Sequence, residues 1–194
     1  MIVEGKGRVA PSPVKVLITR TDVAVLSYEA ERRNAHRSYA SQFSTWKRGL
    51  TANPVLVGMV GELAIERKLK DLGVNCSVID FSLNNGDGGK DAEIAGVAYQ
   101  IKTSTKTYST CLVRRVSETG KLLPLVADRF VFCRWNIGDK YCDIRGWCDR
   151  SQLRKSEHGK SKRGKWFNLE VSDCELHAFA DLVKLVRMEA SNGQ

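Results

Sequence analysis

The sequence lacks any long hydrophobic run, since no stretch approaches the roughly 20 consecutive apolar residues that cross a lipid bilayer. Its first residues, MIVEGKGRVA, include Glu4 and contain no apolar core behind a basic start, which is not typical of a secretory signal. We therefore expect no membrane partner and a cytoplasmic location, in a bacterium, an archaeon or a virus-infected cell.

The sequence also has no CxxC pair, although it contains six cysteines, at positions 76, 111, 133, 142, 148 and 174. A chain in a reducing compartment keeps its cysteines as thiols, so we predict free thiols, most of them in the core. The nearest approach to a metal pattern is Cys174 with His177, with Cys148 and His158 as distant partners. That spacing matches no standard zinc module.

Acidic residues are outnumbered, with 31 Lys and Arg against 22 Asp and Glu, which gives a formal net charge of +9. An excess of this size favours a polyanionic partner, and nucleic acid is the commonest. The alternative is that the charge serves only solubility. With 194 residues and 42% hydrophobic content the chain suits one domain. We divide residues 1–194 into an N-terminal helical extension (1–50), a core (54–150), and a basic loop with a C-terminal helix (151–194).

Three helices are predicted from capping signals and apolar spacing. The first begins at an N-cap of Thr21 and Asp22 and runs to about Trp46. The second spans about 54–72, because Pro54 suits a first helical turn and Gly73 a C-terminal stop. The third spans about 173–188, where an apolar stripe recurs at helical spacing.

Between the second and third helices the pattern is typical of a sheet. Four segments there have strand character, namely NCSVIDF, DAEIAGVAYQIKT, RFVFCRWN and YCDIRGWCD. A further short strand is predicted at 13–19, before the first helix. Residues 105–126 are ambiguous, with part of them expected to be helical. Residues 154–165 hold six positive charges and two glycines, which indicates an exposed mobile loop. The order predicts an α/β fold, with an α+β sandwich as the alternative, in which helices cover a sheet.

The residues that indicate chemistry lie between 88 and 103. Asp91 opens a strand after a glycine-rich turn, and Gly96 lies where a tight connection reverses the chain. The next strand presents Gln100 and Lys102 on one face and Ile101 on the other, because strand side chains alternate. Antiparallel pairing of the two strands would bring Asp91 beside that pair.

Such a group suits the hydrolysis of a phosphodiester. An Asp carboxylate, a Gln amide oxygen and a main-chain carbonyl are ligands for Mg²⁺, which offsets charge on the phosphate. A Lys ammonium nearby can orient water and stabilise a developing oxyanion. Taken singly, each residue has a structural alternative: Asp91 as a turn cap, Lys102 as an edge-strand charge, and Glu62 as a helix-surface residue like Glu66, which forms an i, i+4 pair with Lys70.

This stretch resembles the active-site hairpin of the PD-(D/E)xK nuclease superfamily, the fold of many restriction enzymes and Holliday junction resolvases, over residues of about 56–150. The resemblance implies a restriction endonuclease-like core, a central mixed β-sheet flanked by helices, here with an extra N-terminal helix. It implies Glu62, on the helix before the sheet, as a metal ligand and Asp91 as the central ligand. Gln100 takes the second acidic position, the Ile101 carbonyl reaches the metal, and Lys102 is the catalytic lysine. The later segment DIRGW resembles the strand ending in Gly-Trp of these nucleases.

The implied activity is that of an endodeoxyribonuclease that uses Mg²⁺, with Mn²⁺ as a substitute, on duplex or branched DNA. The sequence departs from the family at Gln100, where Glu or Asp is usual; the missing charge favours one tightly bound metal. Asp87 is an alternative ligand, although a turn stabiliser is its expected role. Two other functions stay open: a nucleic-acid-binding module of the same fold without cleavage, and a protein whose basic surface meets an acidic partner protein.

The basic segment at 154–165 is expected to bind DNA phosphates, with Arg114 and Arg115 as second candidates. Its predicted contact residues are Lys160, Lys162, Arg163 and Lys165. The alternative for this segment is a solvated loop. Because two DNA strands need two active sites, a homodimer is a further hypothesis, and a monomeric enzyme that nicks one strand is the alternative.

Overall fold

The computed structural model describes residues 9–36, 53–74, 76, 78, 91–106, 110–114, 125–155, 160–161, 164–165 and 168–192. Its central sheet has five strands in the order β1-β6-β5-β3-β2. The strands are β1 (Val14–Leu17), β2 (Ala92–Ile94), β3 (Val97–Ser104), β5 (Arg129–Arg134) and β6 (Tyr141–Asp149). Only β3 and β5 run parallel, so the sheet is mixed and the predicted α/β class is confirmed.

A tight hairpin joins β2 to β3, with Ala92 opposite Tyr99. The two connecting residues, Ala95 and Gly96, have φ angles of 52° and 77°. Positive φ at both positions is the geometry of two-residue hairpin turns, whose twist matches that of the strands. The prediction that the chain reverses at Gly96 is confirmed.

The three helices of the described residues are α1 (Arg20–His36), α2 (Pro54–Asp71) and α3 (Phe179–Asn192). The start of α2 is capped by Asn53, whose side-chain oxygen accepts a hydrogen bond of 3.0 Å from the Val55 amide. Pro54 occupies the first turn and Gly73 follows the helix end, as predicted. None of the helices in the described ranges is long and apolar enough to cross a membrane.

The predicted N-cap of α1 at Thr21 and Asp22 is wrong. The helix begins at Arg20 because Thr19 caps it: the Asp22 amide donates to Thr19 Oγ1 (3.1 Å) and the Thr19 amide donates to Asp22 Oδ2 (2.7 Å). These reciprocal bonds satisfy backbone donors that no helical carbonyl can reach. The predicted extension of this helix to Trp46 lies, beyond His36, outside the described residues.

Asp22 also joins α1 to α2 through Arg67, whose guanidinium donates to both carboxylate oxygens at 2.7 and 2.5 Å. The hydrogen bond from Arg67 lowers the pKa of Asp22 from 3.8 to about 2. A carboxyl with a depressed folded-state pKa stabilises the fold above its unfolded pKa, and loses that contribution as pH falls through the folded value. Acid should therefore weaken the α1–α2 contact between about pH 4 and pH 2.

We expect Asp22→Asn to cost about 1 kcal/mol of unfolding free energy near neutral pH, because solvent around Arg67 screens the pair. The difference from the unaltered chain should shrink towards zero as pH falls to about 2. Urea unfolding from about pH 6 to about pH 2 measures it. A difference that stays constant over this range would contradict the assignment.

All three helices contribute to one hydrophobic cluster on one face of the central sheet. This helical face carries Tyr99, Ile101 and Thr103 of β3, since these alternate residues point the same way. The cluster includes Leu26 of α1, Met59 of α2 and Leu182 of α3, together with Tyr99 and Ile101. It forms the main core.

A second sheet covers the opposite face. It contains β4 (Thr110–Arg114), β7 (Arg154–Lys155) and β10 (Asn168–Ser172) in the order β4-β10-β7. Its buried residues Cys111 and Val171 pack in a separate cluster with Phe130 and Phe132 of β5. The predicted sheet flanked by helices is therefore confirmed for one face only, since in the described part of the chain a second sheet covers the other.

Two segments with weak local signals also differ from expectation. Residues 110–114, within the stretch expected to be partly helical, form β4, because β10 supplies a full antiparallel partner. The predicted loop at 154–165 contains β7, which pairs with β10, and a two-stranded hairpin of β8 (Lys160–Ser161) and β9 (Gly164–Lys165). The strand β1 is shorter than the predicted 13–19. The strand expected at NCSVIDF falls mostly outside the described residues.

The C-terminal helix begins at Phe179 rather than near 173. Residues Asp173–Glu175 form a 3-10 turn instead, and His177 is held in extended backbone by two hydrogen bonds with Trp147 of β6, at 2.8 and 3.1 Å. The predicted apolar stripe of the helix is buried. All six cysteines are free thiols and four of them are buried, as predicted.

Arg129 of β5 ties α3 to the sheet. Its guanidinium donates to both carboxylate oxygens of Glu189 on α3, at 2.9 and 2.5 Å, and to the Tyr99 hydroxyl at 2.7 Å. It also lies 5.7 Å from the ring centre of Trp147. A buried guanidinium is tolerated because carboxylate, hydroxyl and aromatic partners replace its hydration.

Candidate functional site

Asp91 immediately precedes β2 and reaches across to β3. Its amide donates to the Tyr99 carbonyl at 2.8 Å, and its Oδ2 accepts a hydrogen bond of 2.5 Å from the amide of Ile101. The side chain thus continues the β2–β3 ladder one bond beyond the last backbone pair, Ala92 with Tyr99. This charge-assisted bond places the carboxylate at the centre of the Gln100-Ile101-Lys102 triplet.

Gln100 and Lys102 flank Ile101 and point to the face opposite it. Ile101 is buried in the core on the helical face, whereas Gln100 and Lys102 are partly buried on the face that the second sheet covers. Their partners in β5 are Phe130 and Phe132. Both side chains therefore leave β3 on the same face as two buried phenylalanines.

Glu62 lies on α2, the helix that packs on the helical face. Its neighbour Gly61 approaches β3 so closely that a Cβ atom there would lie 1.9 Å from Thr103 Oγ1. Glu62 itself is partly buried, at the margin of this helix–strand contact. The structure therefore groups Asp91, Gln100 and Lys102 around Ile101, and brings the Glu62 helix to the same strand from the other face.

Glu66, one turn further along α2, has a structural role. It pairs with Lys70 at 2.5 Å, which confirms the predicted i, i+4 contact, and its other oxygen accepts a hydrogen bond of 2.9 Å from the Val78 amide. The carboxylate is occupied by these two partners, so Glu66 anchors the chain after the helix.

The donor set suits a hard divalent cation. It offers the Asp91 carboxylate, the Gln100 amide oxygen and the Ile101 carbonyl, and Mg²⁺ prefers such oxygen ligands. Glu62 would have to reach the same cation from the helix on the other face of β3. The Ile101 amide fixes the orientation of the Asp91 carboxylate. Across the described ranges, no three His, Cys, Asp or Glu residues are grouped so as to hold a metal ion. Any metal here would depend on the amide and carbonyl donors.

The predicted DNA-contacting residues are only partly covered by the structure. Lys160 and Lys165 are opposite each other in the β8–β9 hairpin. Arg114 ends β4. The described residues do not include the other predicted DNA contacts, which are Lys162, Arg163 and Arg115. They also do not include the alternative metal ligand Asp87. Contact between the basic segment and DNA stays a prediction.

Sequence reasoning missed the contact between Gly61 and Thr103. A signal for it exists, because glycine inside a helix is unfavourable by about 1 kcal/mol relative to alanine and is kept where another chain segment approaches closely. Gly58 and Gly61 both lie inside α2, but only Gly61 has such a neighbour.

Comparisons of the chain with family models, with curated proteins and with solved structures found no match. Membership of the PD-(D/E)xK superfamily and a restriction endonuclease-like core therefore stay predictions. They depend on the residues and contacts of the site itself.

Proposed function

We propose that the protein is a Mg²⁺-dependent endonuclease that hydrolyses DNA phosphodiester bonds. The observation that carries this proposal is the 2.5 Å hydrogen bond from the Ile101 amide to Asp91, which joins an acidic residue to the Gln-x-Lys strand. A carboxylate, an amide and an ammonium gathered on one hairpin are the groups that metal-assisted hydrolysis of a phosphodiester needs.

Each residue has a distinct role in this proposal. Glu62, Asp91, the Gln100 amide oxygen and the Ile101 carbonyl would hold one divalent cation, which offsets negative charge on the phosphate. Lys102 is expected to orient the attacking water and to stabilise charge on the phosphate oxygens. Phe130 and Phe132, in register with Gln100 and Lys102, are expected to limit water around these side chains. Exclusion of water strengthens the electrostatic effect of the ammonium.

DNA is the proposed substrate because the chain carries a net charge of +9. Lys and Arg contacts to phosphates give an affinity that falls steeply with salt. The second candidate function, a DNA-binding module without cleavage, is favoured by one feature, the neutral Gln100 at a position where the nuclease family usually has an acid. It predicts DNA binding that needs no Mg²⁺.

The experiment that tests the proposal is cleavage of labelled linear, supercoiled and four-way-junction DNA. We expect cleavage with Mg²⁺ or Mn²⁺ and none with EDTA, and the preferred substrate identifies the specificity class. Salt-sensitive binding of all three DNAs without cleavage in either metal would favour the binding module. Absence of both binding and cleavage would exclude both functions.

A further inference from the structure

The contact of Gly61 with Thr103 links the helix that carries Glu62 to the strand that carries Gln100 and Lys102. A Cβ atom on Gly61 would meet Thr103 Oγ1 at 1.9 Å, Cβ at 3.1 Å and Cγ2 at 3.4 Å. Ordinary van der Waals contact begins at 3.4 Å, so alanine fits only if the Thr103 hydroxyl rotates away and the helix or the strand also shifts by a few tenths of an ångström to clear Thr103 Cβ. Close approach of this kind is a recognised reason for glycine within a helix.

Thr103 is held in place by packing rather than by hydrogen bonding. Its Oγ1 is buried and has no hydrogen-bond partner among the described residues. Its neighbour across the sheet is Cys133 of β5, which is buried on the same face.

The helix on the other side of the contact is equally constrained. Three residues of α2 around Gly61 and Glu62 are buried in the main core, namely Val60, Ala64 and Ile65. A helix packed in this way moves as a unit, so any displacement at Gly61 also displaces Glu62.

We propose that Gly61 and Thr103 are positioning residues that set the distance of Glu62 from the Asp91, Gln100 and Lys102 group. This inference rests on the proposed nuclease function, in which Glu62 and Asp91 share a cation. A larger side chain at either position would separate the two carboxylates, and a misplacement of about 1 Å in an active site can lower a rate by about 100-fold.

The test compares Gly61→Ala with Gly58→Ala, a matched change in the same helix at a glycine with nothing within 4 Å of its added Cβ. We expect Gly58→Ala to raise the thermal midpoint by about 3 °C, because alanine favours a helix, and to leave cleavage unchanged. Gly61→Ala should raise the dissociation constant for Mn²⁺, measured by calorimetry, at least about tenfold and lower cleavage about 100-fold.

A double substitution separates positioning from loss of stability. Thr103→Ala removes Oγ1 and Cγ2, so Gly61→Ala with Thr103→Ala should bind Mn²⁺ within about threefold of Thr103→Ala alone. If Gly61→Ala does not fold, Thr103→Val carries the test, because its methyl group presses on Gly61 from the strand side and should also weaken Mn²⁺ binding.

Three results distinguish failure of this inference from failure of the proposed function. If the unaltered chain neither binds Mn²⁺ nor cuts DNA, the nuclease proposal fails and the positioning role with it. If the unaltered chain does both and Gly61→Ala matches Gly58→Ala in Mn²⁺ affinity, only the positioning role is overturned. The same holds if Thr103→Ala gives no rescue.

Discussion

Replacement of Lys102 by alanine is expected to lower DNA cleavage by about 1000-fold, because a positioned cationic donor in a water-poor site contributes about 10²–10³-fold to a rate and its water-orienting role adds to this. Lys102 is partly buried and lies in register with the buried Phe132 of β5. Single-turnover cleavage of the preferred DNA measures the effect. Thermal unfolding should change little, since alanine preserves the strand and leaves no buried charge unpaired.

Lys15→Ala is the matched control for this change. Lys15 is exposed on β1, which forms the opposite edge of the same sheet from β2, and its loss removes the same charge from the same protein. It should leave single-turnover cleavage within about twofold of the unaltered chain. If both variants cut DNA as fast as the unaltered chain, Lys102 does not belong to the proposed site. If both variants lose cleavage to the same extent, the loss reflects a general effect of charge on DNA binding.

Asp91 can be tested without loss of its structural hydrogen bond. Asp91→Asn keeps an oxygen that accepts from the Ile101 amide, whereas Asp91→Ala removes that acceptor. If the carboxylate serves a metal, Asn should lose Mn²⁺ binding and cleavage while its thermal midpoint stays near that of the unaltered chain. If Asp91 only caps the turn, Asn should be active, and only Ala should be destabilised, by about 1 kcal/mol.

Local signals in the sequence were enough for the hairpin that carries the site. The Asp91 to Lys102 segment closes through one two-residue turn, so alternation and turn chemistry alone place Asp91 beside Ile101. The start of α2 at Asn53 and Pro54 is similarly local, because cap and proline act within one turn. Such features depend on neighbours in sequence and can be predicted from them.

The second sheet and the Gly61–Thr103 contact could not be predicted in this way. The strand β4 forms because β10, far along the chain, pairs with it, and its own residues show no clear preference. Likewise, nothing near Gly61 in the sequence indicates that Thr103 will lie against it. The late start of α3 has a similar cause, since the backbone hydrogen bonds between Trp147 and His177 keep the chain extended at His177, just before the helix.

Gly146 of β6 marks the point where this extended segment crosses the central sheet. A register shift in the β5–β6 pairing makes Arg145 the extra residue of a bulge, because Phe132 pairs with Gly146 and Cys133 with Ile144. The bulge gives Gly146 a φ of 149°, a conformation that residues with a side chain rarely adopt. A Cβ atom there would lie 2.6 Å from the His177 carbonyl oxygen and 3.0 Å from Leu176 Cβ.

Gly146→Ala should therefore cost about 4 kcal/mol of unfolding free energy, since backbone strain and steric overlap each contribute about 1–3 kcal/mol. The carbonyl oxygen that the methyl group would meet accepts the hydrogen bond of 3.1 Å from the Trp147 amide, so relief of the clash must loosen that bond. It would also disturb the packing of the Trp147 and His177 rings, whose centres are 4.7 Å apart. Thermal unfolding should show a decrease of about 10 °C in the midpoint.

Gly138→Ala separates the two causes. Gly138 also has a positive φ, of 94°, but an added Cβ there meets nothing within 4 Å, so this variant carries backbone strain without steric overlap. We expect it to cost about 1 kcal/mol, in the range of a single strained residue. If both glycine variants lost the same stability, the close approach of residues 176–177 to β6 would contribute nothing. A loss at Gly146 several times that at Gly138 would instead assign most of the cost to this crossing, where a single hydrogen atom is all the space allows.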